Sequence, residues 1–399
     1  MTKKKAAILI ISGIFTGLVF LSVIPCVGAD SLNTGIILAD DQGKFLYAQN
    51  KEKTFVPAST LKILTSLAAI QILGEAYHFP THYNYDAKSK NLYIKGYGDP
   101  LFTSEIIEGL SQDIILKAKI QEIHHILIDQ SYYSNPIDIP GKGDSLNPYD
   151  APVGALCANF NTITFQWDKD KRCFISGEPQ TPLLDFFHDD IRKTNLRQGR
   201  IILSQQQSDL YPGLLLKHFL EKKIPVTGSV RVQAFALKNT APHVFQSPHE
   251  LKTIIQSLLQ YSNNFIANQL LLSMGAKVYG EPATLEKGVQ TVQDFSRRHL
   301  GLTALTIDEG SGLSRGNRIS PHEMLKILTK FMPYHGLLKH EENEFFKTGT
   351  LTGVRTRAGY LSGKNERLYP YIILVNEENT GYESILNHLK NMVNQLEDK

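Results

Sequence analysis

Gly35-Ile36-Ile37-Leu38-Ala39 and Lys44-Phe45-Leu46-Tyr47-Ala48, joined by Asp40-Asp41-Gln42-Gly43, read as a β-hairpin: two strand-like runs about a good turn sequence. The carboxyl-terminal end mirrors this start. Phe345–Leu351, Ala358–Leu361 and Tyr371–Val375 read as strands, with Gly363-Lys364-Asn365 turning between the last two. Tyr382–Leu396 reads as an amphipathic helix with Ile385, Leu386, Leu389, Met392, Val393 and Leu396 on one side. Strands at both ends, with helical sequence inward of them, predict one α+β domain built from residues 30–75 and 247–399. Its antiparallel sheet would be flanked by helices. Residues 76–246 then form an inserted accessory region, with strand-like runs at Asn91–Lys95, His125–Asp129 and Thr162–Trp167 and a helix near Gly213–Glu221. Pro and Gly crowd Pro136–Pro152, which predicts loops there.

Working inward, Pro57-Ala58-Ser59 leads into Thr60–Leu73, an apolar helical stretch stopped by Gly74. Past the insertion, Pro248–Gln260 places Leu251, Ile254, Ile255, Leu258 and Leu259 at helical spacing. Tyr261-Ser262-Asn263-Asn264 breaks that pattern, and Phe265–Met274 resumes it until Gly275. Three short motifs fall on this frame in order: S-x-x-K at Ser59–Lys62, S-x-N at Ser262–Asn264 and K-T-G at Lys347–Gly349. In this order they supply a nucleophile, its base, a proton relay and a carboxylate-binding cation, the set used for serine acyl transfer.

Each residue type suits its post. A serine needs a nearby base to become nucleophilic, and Lys62 lies three residues on, along the same helix face. First-turn amides and the helix dipole favour negative charge near Ser59. Lys62 acts as a base only if its pKa falls well below the free value of about 10.4. Burial and a second cation, Lys347, both push it that way. Ser262 would relay a proton between Lys62 and the leaving amine, and Asn264 would hydrogen-bond the substrate amide. Lys347 and Thr348 would bind a carboxylate, and Gly349 allows close backbone approach. The amides of Ser59 and Thr350 form a candidate oxyanion hole, worth about 3 kcal/mol per donor.

Singly, each motif has a plainer reading. Ser59 and Lys62 taken alone read as a helix cap and a solvated lysine, Ser262 as a polar cap, and Lys347 as an edge-strand lysine. Ser31-Leu32-Asn33 and Ser145-Leu146-Asn147 also match S-x-N. The first precedes the nucleophile and the second sits in a Pro/Gly-rich loop, so neither is taken as the motif.

The whole chain sets further bounds. It has 399 residues, a net charge of +3, 20% charged and 42% hydrophobic residues, which permits a sizeable core and gives no basic surface for nucleic acid. Lys3, Lys4 and Lys5 precede an uncharged run from Ala6 to Val27, and Val27-Gly28-Ala29 resembles a cleavage site. Residues 1–29 therefore read as a secretory signal peptide with Asp30 the new terminus, and the protein as periplasmic. A retained membrane anchor is the alternative, since the run is long enough to span a bilayer. Cys26 follows Ile24-Pro25, a poor lipidation context. Cys157 and Cys173 either form a disulfide worth on the order of 3 kcal/mol or remain free thiols. His322-Glu323 has Lys326 where a zinc-protease helix needs its second histidine, no Walker loop is present, and no metal or cofactor is expected.

With these residues placed, the chain resembles the class C low-molecular-mass penicillin-binding proteins, the D-alanyl-D-alanine carboxypeptidase/endopeptidase family. The likeness is carried by Phe55–Lys62, by Gly96-Tyr97-Gly98-Asp99-Pro100, by Tyr149-Asp150-Ala151-Pro152 through Asn159-Phe160-Asn161, by Gly310-Ser311-Gly312-Leu313-Ser314-Arg315, and by Lys347–Leu351 with Ala358-Gly359-Tyr360. It implies a serine β-lactamase/transpeptidase-like domain interrupted by accessory sequence. It also implies an acyl-enzyme at Ser59, removal of terminal D-alanine from peptidoglycan stem peptides with possible cleavage of crosslinks, and β-lactams as covalent inhibitors. Asn263 replaces the acid common between Ser and Asn, Glu309 stands where an Asp usually precedes G-S-G-L-S-R, and Ser320–Lys347 looks shortened. Arg355 and Arg357 read as solvated strand residues in preference to contacts for an anionic peptide. The rival readings are a β-lactamase, against which the insertion argues, and a penicillin-binding or cell-wall-binding protein that turns over poorly.

Overall fold

The computed structural model describes residues 32–143, 150–235 and 241–398. The leader with Cys26 and Asp30, the Ser145-Leu146-Asn147 triplet and Tyr149 lie outside them. Among the described residues no helix is long and apolar enough to cross a membrane.

The predicted hairpin and the predicted terminal strands meet in one sheet. Its strand order is Lys339–Glu341, Glu344–Leu351, Val354–Ser362, Leu368–Val375, Thr34–Ala39 and Phe45–Gln49, and every pair is antiparallel. Thr34–Ala39 pairs with Leu368–Val375 in the register Ile36↔Ile373 and Leu38↔Tyr371. Side chains alternate across a strand, and here both faces are covered. Ile37, Ala39, Ala358, Tyr360, Ile372 and Leu374 face the main helical core. Ile36, Leu38, Tyr371, Ile373 and Val375 pack against Leu386, Leu389 and Val393 of the terminal helix Glu383–Glu397. Burial on both faces explains why Thr34–Ala39 reads as one continuous apolar run with no polar face.

The central helix, Lys62–Leu73, is buried at every residue from Lys62 to Ile70 and packs among helices Leu251–Tyr261, Asn264–Tyr279 and Pro321–Phe331. A helix apolar on all sides belongs in a core, and this one carries its single charge, Lys62, into it.

Residues 76–246 hold most of a second core, around Tyr83, Ile94, Ile107, Ile128, Leu215 and Phe219. Its five-stranded sheet runs His243–Glu250, His78–Asp86, Asn91–Gly96, Ile126–Asp129 and Val230–Val232, and the last two junctions are parallel. Parallel neighbours need crossovers. Helix Ser104–Ala118 supplies one, and helix Gln205–Glu221 lies in the other. The sequence reading omits the first and starts the second too late. The second begins at a Ser204–Gln207 capping box and continues through Pro212. A three-stranded antiparallel sheet, Cys173–Ser176, Thr162–Asp168 and Gln198–Ile202, completes this region.

Helix Asn264–Tyr279 also runs past Gly275, where the sequence predicts a stop. Gly275 is a packing residue: a Cβ there would lie 2.6 Å from the amide nitrogen of Gly288 in helix Leu285–Leu300. Ala in place of Gly gains about 1 kcal/mol of helix propensity, but overpacking against backbone costs about 1–3 kcal/mol. Gly275→Ala is therefore expected to lower the thermal midpoint. A raised midpoint would show that the two helices part freely.

Candidate active site

The segment around Ser59 is fixed before the helix begins. Phe55 and Ile319 exchange backbone hydrogen bonds at 2.8 and 3.0 Å, while the Asn376 side chain accepts from the Val56 amide at 2.7 Å and donates to its carbonyl at 3.2 Å. Ala58 adopts φ +48°, and Ala58–Leu61 form a 3-10 turn. The α-helix starts only at Lys62, so Ser59 precedes its first turn instead of lying within it. Holding a non-glycine residue left-handed costs about 1–3 kcal/mol. Two hydroxyls brace the turn: Thr60 and Thr356 both donate to the Pro57 carbonyl, at 2.6 and 2.8 Å.

Lys62 is fully buried and donates to Ser59 Oγ at 2.8 Å, Asn264 Oδ1 at 2.6 Å and the Ser311 carbonyl at 2.7 Å. Burial, and secondarily the charge of Lys347, holds its pKa well below the usual lysine range, while Glu309 opposes the shift. Lys347, also buried, donates to Ser262 Oγ at 2.7 Å and to the Thr348 carbonyl at 2.8 Å, and burial brings its pKa down to about 8. Ser262 thus pairs with Lys347 and is not one of the three acceptors of Lys62.

The S-x-N joint is a true helix break. Ser262 is left-handed at φ +57° and closes helix Leu251–Tyr261, and Asn263 caps the next helix by accepting from the Ile266 amide at 3.1 Å. The capping residue is Asn263, so Ser262 and Asn264 are free for the cleft. That cleft, about 550 Å³, is lined by Ser59, Tyr261–Asn264, Gly312, Leu313 and Thr350–Thr352. Thr348 is half-buried and Thr350 exposed along the same strand. At Gly349 a Cβ would come within 2.7 Å of the Ser59 nitrogen, so the protein's own Ala58–Leu61 turn occupies the space that this glycine leaves. The close approach sets strand Glu344–Leu351 beside the Ser59 amide.

The sequence reading missed what holds the Gly310–Arg315 loop. Glu309 is buried and accepts from the Ser311 amide and hydroxyl, each at 2.6 Å, from the Gly312 amide at 2.7 Å and from Asn317 Nδ2 at 2.8 Å. Longer bonds come from Asn268 Nδ2 at 3.2 Å and the Ser314 amide at 3.3 Å. Gly312, at φ +85°, seats the loop on the Ala58–Leu61 turn: a Cβ would lie 1.9 Å from the Ala58 carbonyl oxygen. Asn268, Asn317, Thr356 and Asn376 carry no local signature, whereas the acid directly ahead of G-S-G was a visible one.

One expectation changes. Arg357 is not solvated: its Nε lies 2.6 Å from the buried Glu344 carboxylate and its guanidinium 3.5 Å from the centre of the Phe346 ring. Sheet packing claims it, and only Arg355 is exposed. Cys157 and Cys173 are both free, the first buried and the second exposed. His322 pairs with Glu52 at 3.0 Å, and no cluster of three or more metal-ligating side chains occurs among the described residues.

A sequence model of the D-Ala-D-Ala carboxypeptidase 3 (S13) family matches residues 29–193 and 193–337, taking in the first two motifs and ending short of Lys347. The D-alanyl-D-alanine carboxypeptidase of Actinomadura sp. (strain R39) is 21% identical over 415 residues, covering 84% of this chain and 76% of that protein. The crystal structure of penicillin binding protein 4 from Haemophilus influenzae matches with a TM-score of 0.71 at 20% identity, over 91% of this chain and 96% of that one, and that protein has also been solved with a β-lactam. A predatory peptidoglycan endopeptidase from Bdellovibrio bacteriovorus matches with a TM-score of 0.54 at 20% identity, over 91% and 92% of the two chains, and is also known acylated by penicillin G. The fold is that of penicillin-binding-type peptidases.

Glu309→Ala strands several buried donors, each costing about 1–3 kcal/mol. It is expected to lower unfolding stability in urea by more than about 3 kcal/mol. A midpoint equal to the parent's would show that water replaces the carboxylate without penalty.

Proposed function

This chain belongs to the D-Ala-D-Ala carboxypeptidase 3 (S13) family, and from that premise we propose how its own residues perform the serine-peptidase reaction of that family. The observation that carries the proposal is Lys62, buried and depressed in pKa, with its Nζ 2.8 Å from Ser59 Oγ. In its neutral form Lys62 takes the Ser59 proton as Oγ attacks the carbonyl of the penultimate D-alanine. The oxyanion is received by the amides of Ser59 and Thr350, which act where charge develops. Lys347 and Thr348 bind the terminal carboxylate, and Asn264, whose Oδ1 is held by Lys62, offers its amide nitrogen to the substrate backbone. Ser262, oriented by Lys347, carries the proton to the leaving D-alanine amine. Water then attacks the acyl-enzyme and restores Ser59.

The same attack on a D-alanyl bond that crosslinks two stem peptides is the endopeptidase reaction. The matched Bdellovibrio enzyme supports including it. β-Lactams would acylate Ser59, as the β-lactam-bound relatives support. The hydrophobic leader and the peptidoglycan substrate support a periplasmic location. Two separate cores support residues 30–75 and 247–399 as the catalytic domain and 76–246 as the accessory insertion.

D-Alanine release from a muropeptide pentapeptide, followed by mass spectrometry, is expected from the mature protein and absent from Ser59→Ala. Release by both would remove Ser59 as nucleophile. Release by neither, with penicillin labelling of the parent intact, would leave the poorly turning-over binder, and rapid penicillin hydrolysis would favour a β-lactamase.

The pH profile follows from the two lysines. Acylation rises as Lys62 loses its proton, at a pH below that of an ordinary lysine, and falls above about pH 8 as Lys347 becomes neutral and the carboxylate loses its partner. Removing Lys347 withdraws a charge that lowers the Lys62 pKa, so Lys347→Ala should move the acid limb to higher pH and abolish the alkaline one. An unmoved acid limb in a pH–rate series with fluorescent penicillin would remove Lys62 as the titrating base.

A further inference from the structure

Gly349 is a glycine for a reason inside the protein. In the pairing of strands Glu344–Leu351 and Val354–Ser362 it stands directly opposite Thr356, and opposite residues of an antiparallel pair share one face of the sheet. A Cβ at Gly349 would lie 2.3 Å from Thr356 Oγ1 and 2.7 Å from the Ser59 nitrogen. The Thr356 hydroxyl therefore crosses the bare α-carbon of Gly349 to reach the turn that carries Ser59. Fully buried there, it donates to the Pro57 carbonyl at 2.8 Å. A β-branched side chain is stiff about its first torsion, so this hydroxyl has little freedom to point elsewhere.

A carbonyl oxygen has two lone pairs, and at Pro57 two hydroxyls use them for different purposes. Thr60, three residues on, donates at 2.6 Å, and its amide follows at 3.3 Å. Those bonds are local and shape the turn within itself. Thr356 comes from 299 positions away and fixes where the turn stands against the strands. Among the described residues it makes the one side-chain hydrogen bond between this strand pair and Pro57–Leu61.

The other ties around the turn do a different job. Val56, Ala58 and Val354 pack together, with Leu351 against them. Apolar contact of that kind is non-directional, so it holds the two parts together without setting their offset. Asn376 grips Val56, which precedes the left-handed Ala58, and so fixes the approach of the chain. The aim of Ser59, just past that strained residue, is left to Thr356. Such strain persists only where the surroundings enforce it.

The consequence falls on the two amides that receive the oxyanion. One, of Ser59, is on the turn; the other, of Thr350, is on the strand, one residue past Gly349. Such donors serve only when both lie about 2.7–3.1 Å from the developing charge. We infer that Thr356 is a positioning residue: its hydroxyl, acting through Pro57, holds the Ser59 amide at the separation from the Thr350 amide that a single oxyanion requires. The inference rests on the assignment of those two amides and adds the residue that keeps them in step.

The test compares Thr356→Val, which replaces the hydroxyl with a methyl of similar size, and Thr356→Ser, which keeps it. D-Alanine release from a muropeptide pentapeptide gives kcat and KM, and the rate of acylation by fluorescent penicillin serves where that turnover is slow. Infrared difference spectra of the penicillin acyl-enzyme give the stretch of its ester carbonyl, which falls as the carbonyl accepts stronger hydrogen bonds. For Thr356→Val, kcat should fall about tenfold to a hundredfold, with KM within about twofold of the parent's, and the stretch should move to higher wavenumber. Thr356→Ser should return both toward the parent. A Thr356→Val protein with a lowered thermal midpoint but the parent's kcat and stretch would mark a merely structural hydroxyl and overturn the inference. A Thr356→Ser protein as slow as Thr356→Val overturns it too. If Thr356→Val does not fold, Thr356→Ala removes the hydroxyl without adding bulk and is read in the same way. A parent acyl-enzyme whose carbonyl stretches like a free ester removes the oxyanion hole itself, and the inference then falls with its premise, visibly in the parent before any variant is compared.

Discussion

The burial of one ammonium, that of Lys62, is the constraint around which the rest of the molecule is arranged. Taking an isolated charge out of water costs several kcal/mol even after the surroundings relax. The protein meets this in two ways. Three oxygen acceptors lie within 2.6–2.8 Å of Lys62 Nζ, satisfying every proton the group can carry. A second buried cation, Lys347, tilts the balance toward losing one of those protons. Glu309 works against that tilt, but its oxygens are occupied by loop amides and by Asn268 and Asn317, so it holds the Gly310–Arg315 loop without pairing directly with Lys62. A fully formed ion pair here would have kept the lysine protonated. Shared acceptors and a distant acid leave it able to titrate.

That arrangement needs three segments far apart in the chain to converge on one point, and rigid elements deliver them. The buried helix Lys62–Leu73 brings the lysine, strand Glu344–Leu351 brings Lys347 and the Thr350 amide, and the break between two helices brings Ser262 and Asn264. Two local distortions set the final aim: Ala58 at φ +48° and Ser262 at φ +57°. Neither residue favours that conformation. Both are held by neighbours, the first by Thr60, Thr356 and the Gly312 close approach, the second by the Lys347 bond to its hydroxyl.

What was legible beforehand follows from how local each signal is. Alternation and helical spacing are written within ten residues, so Thr34–Ala39, Glu344–Leu351, Leu251–Tyr261 and the terminal helix appear near their predicted places. The triplets are equally local, and their residues do meet. Contacts that span the chain leave no such trace. Asn376 grips Val56 across 320 positions, Thr356 reaches Pro57 across 299, and Asn268 meets Glu309 across 41. Gly275 reads as a helix stop because its true reason, the backbone of Gly288, lies on another helix. Arg357 reads as solvated because Glu344 sits on a neighbouring strand, and sequence does not announce which strands pair. The parallel junctions of the second sheet were hidden likewise, behind a crossover helix at Ser104–Ala118 that escaped notice.

Residues 76–246 also bear on the site, through the helix that follows Ser262. Asn264–Tyr279 begins at the cleft, and its flank is gripped from residues 76–246 at several depths. Phe160 packs on Phe265, Gln269 Nε2 donates to the Gly154 carbonyl at 3.0 Å, and the Tyr133 hydroxyl reaches the Gln269 carbonyl at 3.2 Å and Ser273 Oγ at 2.7 Å. These contacts fall on the first three turns, where a small rotation of the helix would move Asn264 away from Lys62. On the opposite side Gly275 lets helix Leu285–Leu300 press against the same element. A helix clamped on two flanks transmits little slack to its amino terminus, because packed interiors do not deform continuously. Asn264 can then hold a 2.6 Å bond to Lys62 while Ser262, two residues earlier, faces Lys347. Residues 76–246 thus help to hold Asn264 on Lys62, while Ser262 is the partner of Lys347.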